Sequence, residues 1–130
     1  AMGLAVLPHM ETILAERKKV VDFYNQNLDF SQLQSLKIRE NTNWNYSYYP
    51  VIFESEDVLL KVQKALNNRT VFPRRYFYPS LNTIDYLGGQ KMPVSESVAS
   101  RILCLPLYKE LTEMEIFKIC SIINNTIYVI

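Results

Sequence analysis

The segment Phe72-Pro-Arg-Arg-Tyr-Phe-Tyr-Pro-Ser-Leu-Asn82 gathers two arginines and four aromatic residues around two prolines. An arginine fork grips a phosphate or carboxylate through paired hydrogen bonds, and aromatic faces stack on sugars or bases. In one short stretch these residue types read as a ligand platform. The same composition equally describes a strand whose arginines face solvent and whose rings enter a core, so on composition the two readings stand level. Other chemistries find less support. Three glycines cannot build a phosphate-cradling loop. His9 is the single histidine, which leaves few nucleophilic triads to propose, and with Cys104 and Cys120 far along the chain it makes no zinc site. The carboxylates sit mostly at the starts of predicted helices, where capping accounts for them better than a paired acid and base does.

The chain that must position this segment has 130 residues, enough for one core. Apolar residues make up 48% and charged residues 21%, which is globular composition and not that of a disordered chain. Lys plus Arg is 14 against Asp plus Glu at 13, so the balance of +1 gives no electrostatic case for nucleic acid or an anionic membrane as an obligate partner. No apolar run approaches the about 20 residues of a membrane helix, and no signal peptide is visible. Cys104 and Cys120 lie in apolar surroundings and read as buried free thiols in a reducing compartment.

Pro8 fits a first helical turn, and Met10, Leu14, Val21, Tyr24 and Leu28 then mark one face of a long helix. Residues 31–43 are polar and read as loop. Trp44 to Phe53 is rich in aromatic and β-branched residues and predicts a strand, with Pro50 suggesting an edge or a bulge. Ser55 caps a helix whose apolar face is Val58, Leu59, Val62, Ala65 and Leu66. Val71 to Phe77 predicts a second strand interrupted by Pro73, followed by a long connection carrying Gly88-Gly89. Pro93 opens a short helix through Arg101, and Ile102 to Leu107 predicts a third strand. Thr112 and Glu115 form a capping box for a last helix that buries Ile116, Cys120, Ile123 and Ile127. The fold class expected is α+β: a small, mainly antiparallel sheet of about three strands with helices packed on it.

Three stretches carry a family resemblance. Met2-Gly-Leu-Ala-Val-Leu-Pro-His-Met-Glu-Thr-Ile-Leu-Ala-Glu-Arg17 resembles a Gly-Leu-x-x-Leu helix end running into a long helix. Arg74-Arg-Tyr-Phe-Tyr-Pro-Ser-Leu-Asn82 resembles an R-x-Y-Y-x-x-P-L-H segment. Met92-Pro-Val-Ser-Glu-Ser-Val-Ala-Ser-Arg-Ile-Leu-Cys-Leu-Pro-Leu-Tyr108 with Leu111-Thr-Glu-Met-Glu115 resembles the most specific stretch, L-P-x-(A/S)-E-x-x-(A/S)-x-R-x-L-x-L-P-L-Y-x-x-L-T-x-x-E. Together these are similar to the C-terminal part of the DegT/DnrJ/StrS-type sugar aminotransferases, which use pyridoxal 5′-phosphate.

The resemblance implies that residues 1–130 are the C-terminal small domain of the aspartate-aminotransferase fold type, with 1–8 the tail of the last helix of a large domain absent here. That domain carries the imine-forming lysine and the cofactor contacts in the family, so no catalytic, cofactor or metal residue is expected in this chain, and the chain alone is expected to be inactive. Lys18, Lys19, Lys61, Lys64 and Lys118 fall on predicted helices, where exposure is expected, whereas an imine-forming lysine needs a desolvated pocket. The full-length enzyme is expected to be a cytoplasmic homodimer that transfers an amino group from glutamate to a keto group of a nucleotide-linked deoxysugar, as in the making of cell-surface polysaccharide. By carry-over, Asn82, Tyr78, Arg75 and Ser80 are the substrate-binding candidates. Asn82 stands where the family has histidine and Ser80 where it has proline; asparagine keeps hydrogen-bonding capacity but not a titratable ring. Leu4, Leu7 and part of Tyr46 to Tyr49 are expected to form an exposed apolar face. The alternative is a stand-alone module in which Arg74, Arg75, Tyr76 and Tyr78 stack and contact the backbone of single-stranded nucleic acid.

Overall fold

A computed structural model of the protein describes residues 2–128. Helix α1 (Met2–Val6) runs through a 3-10 turn at Leu7–His9 into α2 (Met10–Asn27), so Pro8 lies in the turn between the two helices. The expected stripe on α2 buries only in its second half, at Val21 and Tyr24, with Leu28 just beyond, and Val20 is buried beside it. Strands β1 (Gln34–Ser35), β2 (Tyr49–Ile52) and β3 (Ile102–Leu105) form an antiparallel sheet in that order. Tyr49 pairs with Leu105 and Ile52 with Ile102 across the centre, and Gln34 with Ile52 at the edge. Helices α3 (Glu56–Asn67), α4 (Pro93–Arg101) and α5 (Glu113–Tyr128) complete the fold, which is the α+β architecture expected.

Alternation on β2 is strict: Tyr49, Val51 and Phe53 are buried, and Pro50 and Ile52 are half-buried. The buried side of the sheet meets Leu59, Val62 and Leu66 of α3 and Ile116, Ile119, Cys120 and Ile123 of α5 in one core. Helix α5 packs against both α2 and α3. Its start is fixed by the capping box, in which Thr112 N–H donates to Glu115 Oε2 at 2.8 Å and Glu115 N–H donates to Thr112 Oγ1 at 3.3 Å. Ser55 caps α3 by accepting from Val58 N–H. Cys104 and Cys120 are free and buried, and burial pushes the Cys120 thiol up to about 12.

Three strand expectations need correction. The stretch 31–43 holds β1, which two polar residues could not announce. The Trp44–Phe53 strand pairs only from Tyr49, because Tyr46 takes a φ of 50° and folds its ring against Trp44, 4.7 Å between centroids. Val71 to Phe77 is no strand; a single bridge joins Arg74 to Cys104, and Pro73 has no N–H to extend it. Of the residues expected to form an exposed apolar face, Leu4, Leu7 and Tyr48 are exposed, whereas Tyr49 lies inside the core, stacked on Tyr24 at 4.7 Å. We expect Leu59→Ala, at a fully buried position, to cost about 2–5 kcal/mol in urea unfolding of the chain, through lost burial and the cavity left behind.

Candidate functional site

Arg75 points inward from the single bridge at Arg74, toward the start of α3 and the end of α4. Its Nη2 donates to Glu56 Oε1 at 2.7 Å and to the Ser100 carbonyl at 2.9 Å. The guanidinium lies 3.6 Å from the centroid of the Tyr78 ring, which covers it. Its side chain is only 15% exposed, and its Nε is buried without a partner. The Arg75 hydrogen bond, helped by Tyr78, holds the Glu56 carboxyl below the usual carboxylate range. Arg101 ties the same junction from α4: Nη1 donates to the Phe53 carbonyl at 2.9 Å and Nη2 to Ser97 Oγ at 3.2 Å.

Beyond Tyr78 the chain makes two 3-10 turns, at Leu81–Thr83 and Asp85–Leu87, and returns to α4. Asn82 closes this loop. Its Nδ2 donates to the Gln90 carbonyl at 3.0 Å and to Glu96 Oε1 at 2.6 Å. Its Oδ1 accepts from Ser80 Oγ at 2.6 Å, and Ser80, which is buried, is 2.9 Å from Ser95 Oγ. With the one Ser80 proton given to Asn82, Ser95 is the donor of that second bond. Glu96 Oε1 also accepts from Met92 N–H at 2.8 Å; that bond first, and Asn82 second, hold the Glu96 carboxyl low. Gly89 passes so close that a Cβ there would sit 2.5 Å from the Asn82 carbonyl oxygen. The network edges a mostly apolar cavity of about 430 Å³ walled by Tyr76, Phe77, Leu81, Met92 and Val98.

The four candidate residues therefore fall into two groups. Ser80 and Asn82 share one network at the cavity, and Arg75 and Tyr78 form a stacked pair over Glu56. Both amide hydrogens of Asn82 are engaged within the protein, so what it can offer a ligand is the second lone pair of Oδ1, an acceptor for a hydroxyl or an amine. Glu56, Ser95, Glu96 and Gly89 complete the two groups. None was singled out as a site residue, because a carboxylate near a helix start reads as a dipole partner whichever loop it holds.

Arg74, Arg75, Tyr76 and Tyr78 do not form the open platform that single-stranded nucleic acid would need, because Tyr78 lies over Arg75. Arg75 is engaged beneath Tyr78 by Glu56 and Ser100, while Arg74 is exposed and donates to the Tyr76 hydroxyl at 2.6 Å. The described residues hold no cluster of three metal-ligating side chains and no helix long and apolar enough to cross a membrane. Every lysine of the chain is exposed. The chain's own residues therefore do not fit pyridoxal phosphate, whose imine-forming lysine must be desolvated.

Two expectations follow from the loop. Gly89→Ala should displace the Asn82 backbone, seen as large amide shift changes over 80–92 in NMR spectra with the shifts of α5 unmoved. Glu96 has a depressed folded pKa, so its contribution is present above the ordinary glutamate pKa and is lost as pH falls through the lowered folded value. The Asn82 side-chain amide resonances should follow that titration, and Glu96→Gln should abolish it.

Known proteins give the arrangement its context. The sequence pattern of the DegT/DnrJ/EryC1/StrS aminotransferase family matches residues 1–124. The chain is 30% identical to a dTDP-4-amino-4,6-dideoxy-D-glucose transaminase of Escherichia coli over 95% of its own length and 36% of that protein's. The aminotransferase TlmJ from Streptoalloteichus hindustanus has the same fold, with a TM-score of 0.87 at 20% identity over 98% of this chain and 35% of that one. So has the sugar aminotransferase Spr1654 from Streptococcus pneumoniae in its PLP form, with a TM-score of 0.78 at 21% identity over 95% of this chain and 34% of that one. The chain spans about a third of the length of these proteins.

Proposed function

Because the chain belongs to the DegT/DnrJ/EryC1/StrS aminotransferase family, we propose that it is the C-terminal small domain of a pyridoxal-phosphate-dependent sugar aminotransferase. The net reaction is glutamate plus a keto group of a nucleotide-linked deoxysugar giving 2-oxoglutarate and the amino sugar. Residues 1–8 are then the end of the large domain's last helix. The cofactor is held by residues outside this chain, and the chain alone is inactive. The whole enzyme works as a cytoplasmic homodimer. Support for the substrate class comes from the transaminase similar to this chain, whose name specifies a dTDP-linked dideoxy sugar.

The observation that carries the role of this chain is the Ser80–Asn82–Glu96 network at the edge of an apolar cavity. A deoxysugar has carbons that lack hydroxyls beside others that keep them. The rings of Tyr76 and Phe77 suit the first, and the remaining Oδ1 lone pair of Asn82 suits a hydroxyl on the second. Arg75 and Tyr78 act on the substrate by holding the segment that presents Asn82. In this role Asn82 orients the sugar and transfers no proton, because a carboxamide does not titrate.

The full-length enzyme carrying Asn82→Ala tests the reading. We expect KM for the keto sugar to rise by about tenfold, as for loss of an interaction made in ground and transition states alike, with the glutamate half-reaction unchanged. A loss falling equally on the glutamate half-reaction, or an unchanged KM, would contradict it.

A further inference from the structure

The hydrogen bonds along the polar edge of the cavity at Asn82 all run one way. Ser95 Oγ donates to Ser80 Oγ at 2.9 Å, Ser80 Oγ to Asn82 Oδ1 at 2.6 Å, and Asn82 Nδ2 to Glu96 Oε1 at 2.6 Å. The direction is set at the Glu96 end. One side of the Asn82 carboxamide faces two acceptors, the Glu96 carboxylate and the Gln90 carbonyl, so the nitrogen must lie there and the oxygen opposite. A reversed carboxamide would press Oδ1 against both. Glu96 is held in turn by Met92 N–H, which donates to the same Oε1 at 2.8 Å.

This direction decides what the cavity can offer. Ser80, Asn82 and Ser95 line it. The hydroxyl hydrogens of Ser80 and Ser95 and both amide hydrogens of Asn82 are committed inside the network. Ser80 is buried, whereas Ser95 is exposed. The lone pairs left open are therefore the second one of Asn82 Oδ1 and those of Ser95 Oγ. Tyr76 adds its ring to the wall, but its hydroxyl lies with Arg74, which lines the neighbouring recess and not this one. The side chains on the polar edge accept and do not donate.

We propose that this edge makes the site selective for a sugar that presents a donor to Asn82, a free hydroxyl or an amine on a carbon other than the reacting one, and that Glu96 is the positioning residue that sets the preference. The inference rests on the function proposed above and narrows its substrate class. A keto oxygen carries lone pairs only, and against Asn82 Oδ1 it would leave two acceptors facing each other without a hydrogen. The keto carbon therefore turns away from this edge, and a neighbouring substituent is read here. Asn82 Oδ1 and Ser95 Oγ both bond the Ser80 oxygen, so they lie within reach of adjacent hydroxyls on one ring. A site built to hold a hydroxyl rejects analogues that lack its hydrogen.

Competition assays on the full-length enzyme test it. The ligands are nucleotide-linked deoxysugars with a hydroxyl in place of the keto group, so that no reaction intervenes. Each remaining ring hydroxyl is replaced in turn by hydrogen, fluorine or an amine. We expect a carbon at which hydrogen and fluorine each weaken binding about tenfold while the amine stays within about threefold of the parent. Fluorine keeps lone pairs but has no hydrogen to give, so its loss reports an accepting site. At that carbon Asn82→Ala should erase the difference between hydroxyl and hydrogen. Glu96→Ala should narrow the same difference and weaken the parent about tenfold. Glu96→Gln should recover most of that loss, because its side-chain oxygen still accepts from Met92 and Asn82. Fluorine binding as well as hydroxyl at every carbon, or an unchanged preference in Asn82→Ala or Glu96→Ala, would overturn the proposal. If that happens while the enzyme aminates a keto sugar, this inference falls and the functional reading stands. If the ligands bind with the expected preference but no sugar is aminated, the site stands and the functional reading falls.

Discussion

The structure around the candidate site depends on one covered guanidinium. Arg75 bonds the first residue of α3 and the carbonyl of Ser100 near the end of α4, and it lies under the ring of Tyr78. A lysine could not take its place, because its ammonium lacks the planar face that Tyr78 covers. A covered charge without these partners would be costly, so the arrangement holds together as a set. Arg101 repeats the device on the other side of α4, reaching the Phe53 carbonyl at the end of β2. Together they fix α4 against the sheet and against α3, and α4 is the wall on which the loop from 79 to 92 rests.

On that wall the loop is held by polar contacts. Its apolar residues Leu81, Tyr86 and Leu87 are exposed, so burial contributes little to its order. Hydrogen bonds from Asn82 and Met92 to Glu96, and from Ser95 to Ser80, do that work. The close passage of Gly89 lets the strand of loop after the turns return within reach of Asn82. Polar networks of this kind define geometry well and add little to global stability, which suits a segment that must meet a ligand.

The sequence made the helices legible and left much of the sheet obscure. The caps at Ser55 and Thr112 and the apolar stripe from Val58 to Leu66 are local signals, and each lies where its pattern put it. β1 is two polar residues whose strand character comes entirely from pairing with β2. Arg74 to Phe77 has strand composition, yet Pro73 and the inward turn of Arg75 stop the ladder after one bridge. The same limit governs the site. The types in Arg74 to Asn82 suit a ligand platform and a strand equally, and which arginine is engaged depends on Glu56 and Ser100, distant in sequence. The resemblance to the family located Asn82, and its hydrogen-bond partners became visible only with the loop folded.

The central claim is that a covered Arg75 clamp, and not an open basic platform, orders the segment that presents Asn82. Amide hydrogen exchange across residues 76–92 in an Arg75→Gln variant measures this most directly. The clamp predicts that protection is lost in 76–92 and at the end of α4 while α5 keeps its protection. Unchanged exchange throughout 76–92 would contradict it, as would a loss spread evenly over the whole chain.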